Sequence, residues 1–367
     1  MKRTPPHLFV DISSHGFGHL AQAAPVLNAL ARRLPELKLT VRSGLSEARL
    51  RSRLSCRFAH LAARSDFGYV MHDAVAIDHA ASAAAYRAAH AGWRTRVEDE
   101  RAWLSRLAPD LVLTDVAYLP LAGAAAAKIP ALAMSSLNWA DLFAHFYGAE
   151  PWATEIHREM FDAYASAETF LRLTPAMTMA SLPRTRAIAP VAALGRDRRG
   201  ELRDRIACSH GERVVLVAFG GVEKDYGAHA WPQSTGVRWL VPQRWRLART
   251  DMHALEATGL PFTDLLRSVD AVLTKPGYGT FTEAACNGTP VLFARRDDWP
   301  EQDCLIDWLK ANARCAEIGA DAVASGQMHE ALAALWQQAQ RPLPHAGGAE
   351  QAAALIAEKL TVESRNV

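Results

Sequence analysis

Two histidines, His15 and His19, stand among glycines in the stretch ISSHGFGHLAQAAP, residues 12–25. An apolar run, HLFVDI, leads into it, and a helical pattern leaves it from about Leu20 to Arg33. Glycines let a backbone approach a ligand closely, and the first turn of a helix offers unpaired N–H groups to an anion. The two imidazoles therefore read as phosphate ligands or as acid–base groups; alternatively they pack a tight turn. A second stretch, KPGYGTFTE at 275–283, is built the same way. Gly277 and Gly279 permit a bend after a strand, and Thr280 opens a helix. The positive end of that helix joins Lys275 in favouring a diphosphate. Glu283 is spaced to accept both hydroxyls of a ribose. The same residues would equally make a glycine-rich turn with a capping threonine and a solvated glutamate.

Such loops need rigid strands and helices to hold them. HLFVDI is followed by a helix, then LKLTVRS (37–43), a helical stretch over about 79–107, DLVLTDV (110–116), an alanine-rich helix and PALAMSS (130–136). Within 79–107, Tyr86, Trp93, Val97 and Leu104 recur at near-helical spacing. The second half repeats the alternation with RVVLVAFGG (213–221), VDAVLTKPG (269–277), helical TFTEAACNG and PVLFARR (290–296). Strand–helix alternation predicts βαβ units and parallel sheets. The expectation is an α/β chain of two Rossmann-like domains facing a cleft, residues 1–190 and 191–367, with a last helix at 349–361 packing back on the first domain. Ligands of open parallel sheets bind at the carboxyl ends of strands. Both loops follow strands, as does a third, FGGVEKDYG, which starts with the glycine pair Gly220 and Gly221.

Composition narrows the classes. With 367 residues, 50% hydrophobic and 22% charged, and a net charge of +2, the chain reads as globular and not as a nucleic-acid binder. Five scattered cysteines without C-x-x-C spacing argue against a disulfide framework or zinc site and for a reducing, cytoplasmic setting. The longest apolar stretch, 118–134, is broken by Lys128 and two prolines, too short for a membrane span. Arginines crowd into 42–58, a solvated helix face or a patch for peripheral membrane contact.

KPGYGTFTE resembles the signature box of GT-B nucleotide-sugar glycosyltransferases, HCGWNSxxE in plant members. Lys275 then takes the histidine place, Gly277 the glycine, Thr280 the serine and Glu283 the glutamate; Gly279 replaces the asparagine. The resemblance implies a diphosphate on the loop and a ribose on Glu283. It also implies that RRDDWPEQDC holds the donor sugar, through Gln302 and Asp303. GFGH resembles the family's glycine–histidine loop, where His19 matches the general base; LVLTDV resembles the strand that delivers its aspartate, Asp115. His15 is structural or touches the donor. Over most of the chain the sequence is similar to the glycosyltransferase-like half of plant L-arabinokinases, through SHGFGH, SDFGYVMHDAVAIDHAAS, SLNWADLFAHFYG, LVAFGG and GYGTFTEA. No G-x-x-x-x-G-K-[ST] occurs, so no kinase is implied.

The resulting expectation is a metal-independent hexosyl- or pentosyltransferase using a nucleoside-diphosphate sugar, UDP included, as co-substrate and no cofactor. Gly16, Gly18, Gly220, Gly221, Lys275, Gly277, Gly279, Thr280, Glu283, Arg295, Gln302 and Asp303 would bind the donor. Lys275 with Arg295 or Arg296 would stabilise the leaving diphosphate, since RRDDW lacks the D-x-D spacing of metal-dependent transferases. Asp73, Asp78, Asn138, Trp139 and Asp141 are acceptor-side candidates, each equally able to be a cap or a core residue. A non-catalytic nucleotide-sugar sensor of the same fold would keep Thr280 and Glu283 without needing His19 and Asp115 within bonding reach. An NADP-dependent dehydrogenase would use Gly16, Gly18 and Ala21 as G-x-G-x-x-A, with Arg42 on a 2′-phosphate.

Overall fold

The computed structural model describes residues 5–73, 76–220, 226–233, 235–296 and 298–363, the last two without side chains. The described chain forms two compact units. One holds residues up to 72, 77–191 and the chain from 347; the other holds 192–346 together with the short segment at 73–76.

The first unit is built on a seven-stranded, wholly parallel sheet. Its strands are β1 (His7–Ile12), β2 (Lys38–Arg42), β3 (Ala59–Leu61), β4 (Leu111–Asp115), β5 (Ala131–Ser135), β6 (Thr169–Arg172) and β7 (Thr185–Ala187). They lie in the order β3-β2-β1-β4-β5-β6-β7. Strands covered by helices on both faces read as unbroken apolar runs, and β1 and β4 are buried at every position. The second unit carries a six-stranded parallel sheet. Its strands are β8 (Arg213–Val217), β9 (Val237–Val241), β10 (Met252–Ala254), β11 (Ala271–Thr274), β12 (Val291–Ala294) and β13 (Cys315–Ile318), ordered β10-β9-β8-β11-β12-β13. In each sheet the order reverses once, at β1/β4 and at β8/β11. Such a reversal is where an open α/β sheet leaves room for a ligand at its carboxyl edge.

Two differences from the sequence pattern have physical causes. The helical stretch over 79–107 is two helices, His79–Ala91 and Trp93–Leu107, separated at Gly92. Tyr86 and Leu104 are buried while Trp93 and Val97 are half-buried. The strands β3, β6, β7, β10 and β13 carry half-buried or exposed positions in place of an unbroken apolar run, and β9 is interrupted by Arg238, so none shows the pattern of a strand covered on both faces. The last helix, Gly348–Glu363, packs on the helix Phe17–Arg33 of the first unit. Exposed ion pairs of Glu350 with Arg32 and Arg33 add at most about 1 kcal/mol each, so burial of Ala352, Ala353, Ile356 and Leu360 holds it. Among the described residues no helix is long and apolar enough to cross a membrane.

Candidate active site

In the first unit the switch point carries the histidine loop. β1 and β4 pair in register with Ile12 opposite Asp115, and the Ser13 amide donates to the Asp115 carbonyl at 2.7 Å. That register sets the first turn of the helix Phe17–Arg33 against the end of β4. His19 Nδ1 consequently lies 2.9 Å from Asp115 Oδ1, with both residues buried. A proton on Nδ1 shared with the carboxylate leaves the basic lone pair on Nε2, the tautomer a general base requires. Gly16 is the residue before this helix and makes no side-chain cap; a Cβ on Gly16 or Gly18 would meet nothing within 4 Å. Both have room for a side chain, so the glycines keep the first-turn N–H groups uncovered.

The imidazoles are walled by an indole. Trp139 is fully buried, with its ring centre 5.3 Å from that of His15 and 5.7 Å from that of His19. Asp66 holds the indole: its carboxylate accepts from Trp139 Nε1 at 2.8 Å and from Ser13 Oγ at 3.0 Å. Asp66 was not singled out in the sequence. Its only local signal is Gly68, whose φ of +62° requires glycine and whose Cβ would lie 2.7 Å from the His15 ring. Desolvation and then the charge of Asp11 push the Asp66 carboxyl up to about 6 from 3.8, against hydrogen bonds from Trp139 and Ser13 and the attraction of His19. The sign follows. An acid raised on folding contributes stability below its unfolded value and loses it as pH rises through the folded one. Asp66→Asn keeps the acceptor for Trp139 and is expected to remove this fall. Melting temperatures of wild type and variant should diverge, in the variant's favour, as pH rises from 3.8 to about 6, and run parallel above that; curves that stay parallel across the whole interval would refute the assignment.

The acceptor-side candidates have local duties. Asp78 caps the helix His79–Ala91 through the Ala81 amide, and Asn138 caps Trp139–Tyr147 through the Asp141 amide. Asn138 Nδ2 also donates to Asp141 at 2.9 Å. Asp73 Oδ1 accepts from the Ala76 amide at 3.0 Å, in the segment grouped with the second unit. Of the five, Trp139 has a ring contact with His19 of the dyad.

Arg42 has no freedom to meet a 2′-phosphate. Its guanidinium is bonded to Asp11 and, bidentately, to Glu100 at 2.9 and 2.6 Å. The remaining cations of 42–58 are largely engaged as well: Arg49 stacks on Phe17, and Arg51 pairs with Glu47.

In the second unit the switch point carries KPGYGTFTE. Gly277 precedes the helix Tyr278–Asn287, extended at φ −169° and without a side-chain cap. The bend therefore needs no glycine conformation, and a Cβ there would find only the Lys275 carbonyl, 4.0 Å away. What the glycine supplies is a bare helix start beside Lys275. Gly279 and Thr280 follow in the first turn, Gly279 buried and Thr280 half-buried. Glu283 is in the same helix and 1% exposed. Burial and the charge of Glu283 together push the neighbouring Cys286 thiol up to about 11. Gly220, at the end of the β8 strand loop, has φ +93°; its carbonyl accepts from Arg244 at 3.0 Å, and a Cβ on it would lie 3.8 Å from Lys275 Cε. Gly221 lies outside the described residues.

The segment after β12 is arranged differently from expectation. Arg295 is neutralised by Asp303 at 2.6 Å and Glu317 at 2.8 Å. Asp303 is a 73% exposed side chain held in that pair, so it stands on the surface. Gln302 is buried, but its amide accepts from the Arg296 N–H at 3.1 Å and donates to the Arg296 carbonyl at 3.3 Å. It serves the backbone of Arg296. Among the described residues no cluster of three or more His, Cys, Asp or Glu side chains is placed to hold a metal.

Two parallel Rossmann-like units with helix-start loops at both switch points define the GT-B fold, which the chain shares with solved glycosyltransferases. A UDP-glucosyltransferase of Polygonum tinctorium superposes with a TM-score of 0.60 at 15% identity, over 98% of this chain and 100% of that one. The fold also covers other chemistry. A protein of Listeria monocytogenes described as a UDP-N-acetylglucosamine 2-epimerase superposes at 0.55 and 13% identity, over 95% of this chain and 94% of that one. In sequence the chain is 24% identical to an L-arabinokinase of Arabidopsis thaliana over 303 residues, 82% of this chain. The match spans only 29% of that relative's length. No family model matches the sequence.

Proposed function

We propose that the chain is a glycosyltransferase that moves a sugar from a nucleoside diphosphate to a hydroxyl acceptor. The observation that carries this reading is the buried His19–Asp115 pair at the first unit's switch point. His19 takes the acceptor's proton as the hydroxyl oxygen attacks the anomeric carbon; Asp115 fixes the tautomer and stabilises the imidazolium. The nucleotide belongs to the second unit. The bare start of the helix Tyr278–Asn287 and Lys275 take the diphosphate, and Glu283 takes the ribose hydroxyls. The bond to the leaving diphosphate breaks with its charge spread over N–H groups and the ammonium, so no metal is required.

A sensor has no use for a buried base–carboxylate pair, and the 2.9 Å contact weighs against that reading. An epimerase would alter the sugar with no acceptor present, so product analysis of the donor alone separates it from a transferase.

The donor assignment is tested by calorimetric titration with UDP, dTDP, GDP and NADPH. Charge-assisted hydrogen bonds to ribose replace those its hydroxyls make with water, which leaves about 1.4–2.7 kcal/mol for the pair. Glu283→Gln should therefore weaken nucleoside-diphosphate binding about ten- to a hundredfold. Thr280→Val should weaken it less, since the backbone donors remain. Tight NADPH binding that ignores Glu283 would overturn the reading.

A further inference from the structure

Arg295 and Arg296 stand side by side after β12 and have opposite environments. Arg295 has two carboxylates on an exposed surface. Arg296 is 8% exposed, and its guanidinium forms no hydrogen bond or ion pair among the described residues. Its Nε is buried without a partner. The cation instead sits over the Trp299 ring, 3.9 Å from the centroid, while Trp299 Nε1 donates to Glu301 at 3.0 Å. Gln302 grips the Arg296 backbone through both its N–H and its carbonyl, so the position is held, not incidental. Burial pulls the guanidinium down to about 10, although Glu301, Tyr226 and Asp73 attract the charge through space. A buried charge whose donors are left over is expensive, and a protein keeps one in place when something else completes it.

Its location says what that is. β11 and β12 are adjacent and in register, Thr274 opposite Phe293. Their carboxyl-end loops therefore start about one strand spacing apart, roughly 4.8 Å. One begins with Lys275 and the bare helix start; the other holds Arg296. A ligand with an oxyanion on the first loop can bring oxyanion oxygens to the second. We propose that Arg296 is an anion-binding residue of the nucleotide-sugar site, completed by oxyanion oxygens of the donor itself: its diphosphate, or a carboxylate on an acidic sugar. This rests on the assignment of the nucleotide to the second unit. It replaces Arg295 as the working cation, and it gives Gln302 a positioning role.

The test is calorimetry on wild type, Arg296→Gln, Arg296→Lys and Arg295→Gln with pyrophosphate, UDP, UDP-glucose and UDP-glucuronate. One charge-assisted bidentate contact predicts a loss of about ten- to a hundredfold for Arg296→Gln. Arg296→Lys keeps the charge without the fork and should fall between, which keeps the test decisive if the glutamine variant folds poorly. Arg295→Gln should bind as wild type. Equal losses for pyrophosphate, UDP and both sugars identify the diphosphate as the partner. A loss confined to UDP-glucuronate identifies the sugar carboxylate. Unchanged affinity of both Arg296 variants for all four probes, with UDP binding still dependent on Glu283, overturns this inference alone. Absence of binding to every probe in wild type overturns it together with the nucleotide assignment.

Discussion

His19→Ala is expected to lower transfer by about 10²–10⁴-fold, the usual contribution of a positioned general base. Donor affinity should stay near wild type, because the nucleotide is assigned to loops of the other unit. The bond from Nδ1 to Asp115 is buried at both ends, so the imidazole has one orientation and one stable tautomer. Asp115→Asn should therefore also be severely impaired. An amide can present its N–H to Nδ1, which would put the proton on Nε2, where a base must be free of it. The two changes should be far from additive, since each disables the same proton transfer. The informative measurement is kcat, KM for donor and donor Kd for wild type and both variants, with and without chelator. Loss of donor affinity equal to the loss of turnover would make His19 a phosphate ligand. Transfer that disappears with chelator would place a metal where the cationic loop has been put.

How much of this was readable from sequence depends on how far apart the interacting residues lie. The two loops were legible because their chemistry is local: a strand end, a glycine, a helix start and a polar residue at fixed spacing, as in Gly277 to Glu283. Alternation was enough to give parallel sheets, because buried strands such as β1 and β4 are continuous apolar runs. Asp66 was not legible, since what makes it important is its bonds to Ser13 and Trp139, 53 and 73 residues away. Arg295 and Arg296 are indistinguishable as letters; Glu317 and Asp303 neutralise one, and burial against Trp299 sets the other apart. Gln302 bonds both backbone groups of Arg296, a contact that its place in RRDDWPEQDC does not show, because an amide satisfies a backbone as readily as a sugar. Arg42, at a strand end after a glycine-rich loop, suits a 2′-phosphate equally well until Glu100 is brought across to it.

That last cluster carries the largest expected effect on stability. Arg42 ends β2 with a side chain 10% exposed, between the rings of Phe9 and Trp103 at 5.1 and 5.0 Å. It bonds Asp11 on the neighbouring strand and both oxygens of Glu100 from the helix Trp93–Leu107. Ser65 Oγ completes Asp11 at 2.8 Å. Gly123 makes the approach possible: a Cβ there would lie 2.4 Å from Glu100 Cγ, so a side chain at that position of the helix Leu119–Ala127 would have to displace Glu100. Burial alone would pull the Arg42 guanidinium down, but Asp11 and Glu100 more than offset that and hold it above its ordinary value. Arg42→Met removes the cation and strands two buried carboxylates, a change that typically costs about 3–5 kcal/mol. Changing Asp11 and Glu100 to apolar residues in the same chain should recover most of that loss, because the burial penalty of the acids disappears with them. Denaturant unfolding followed by the fluorescence of Trp103 and its neighbours would report the transition of this unit. A loss under about 1 kcal/mol for Arg42→Met would mean that water reaches the cluster and that the pair behaves as a surface ion pair. A triple variant no more stable than Arg42→Met would mean that the stranded carboxylates are not what destabilises the single variant.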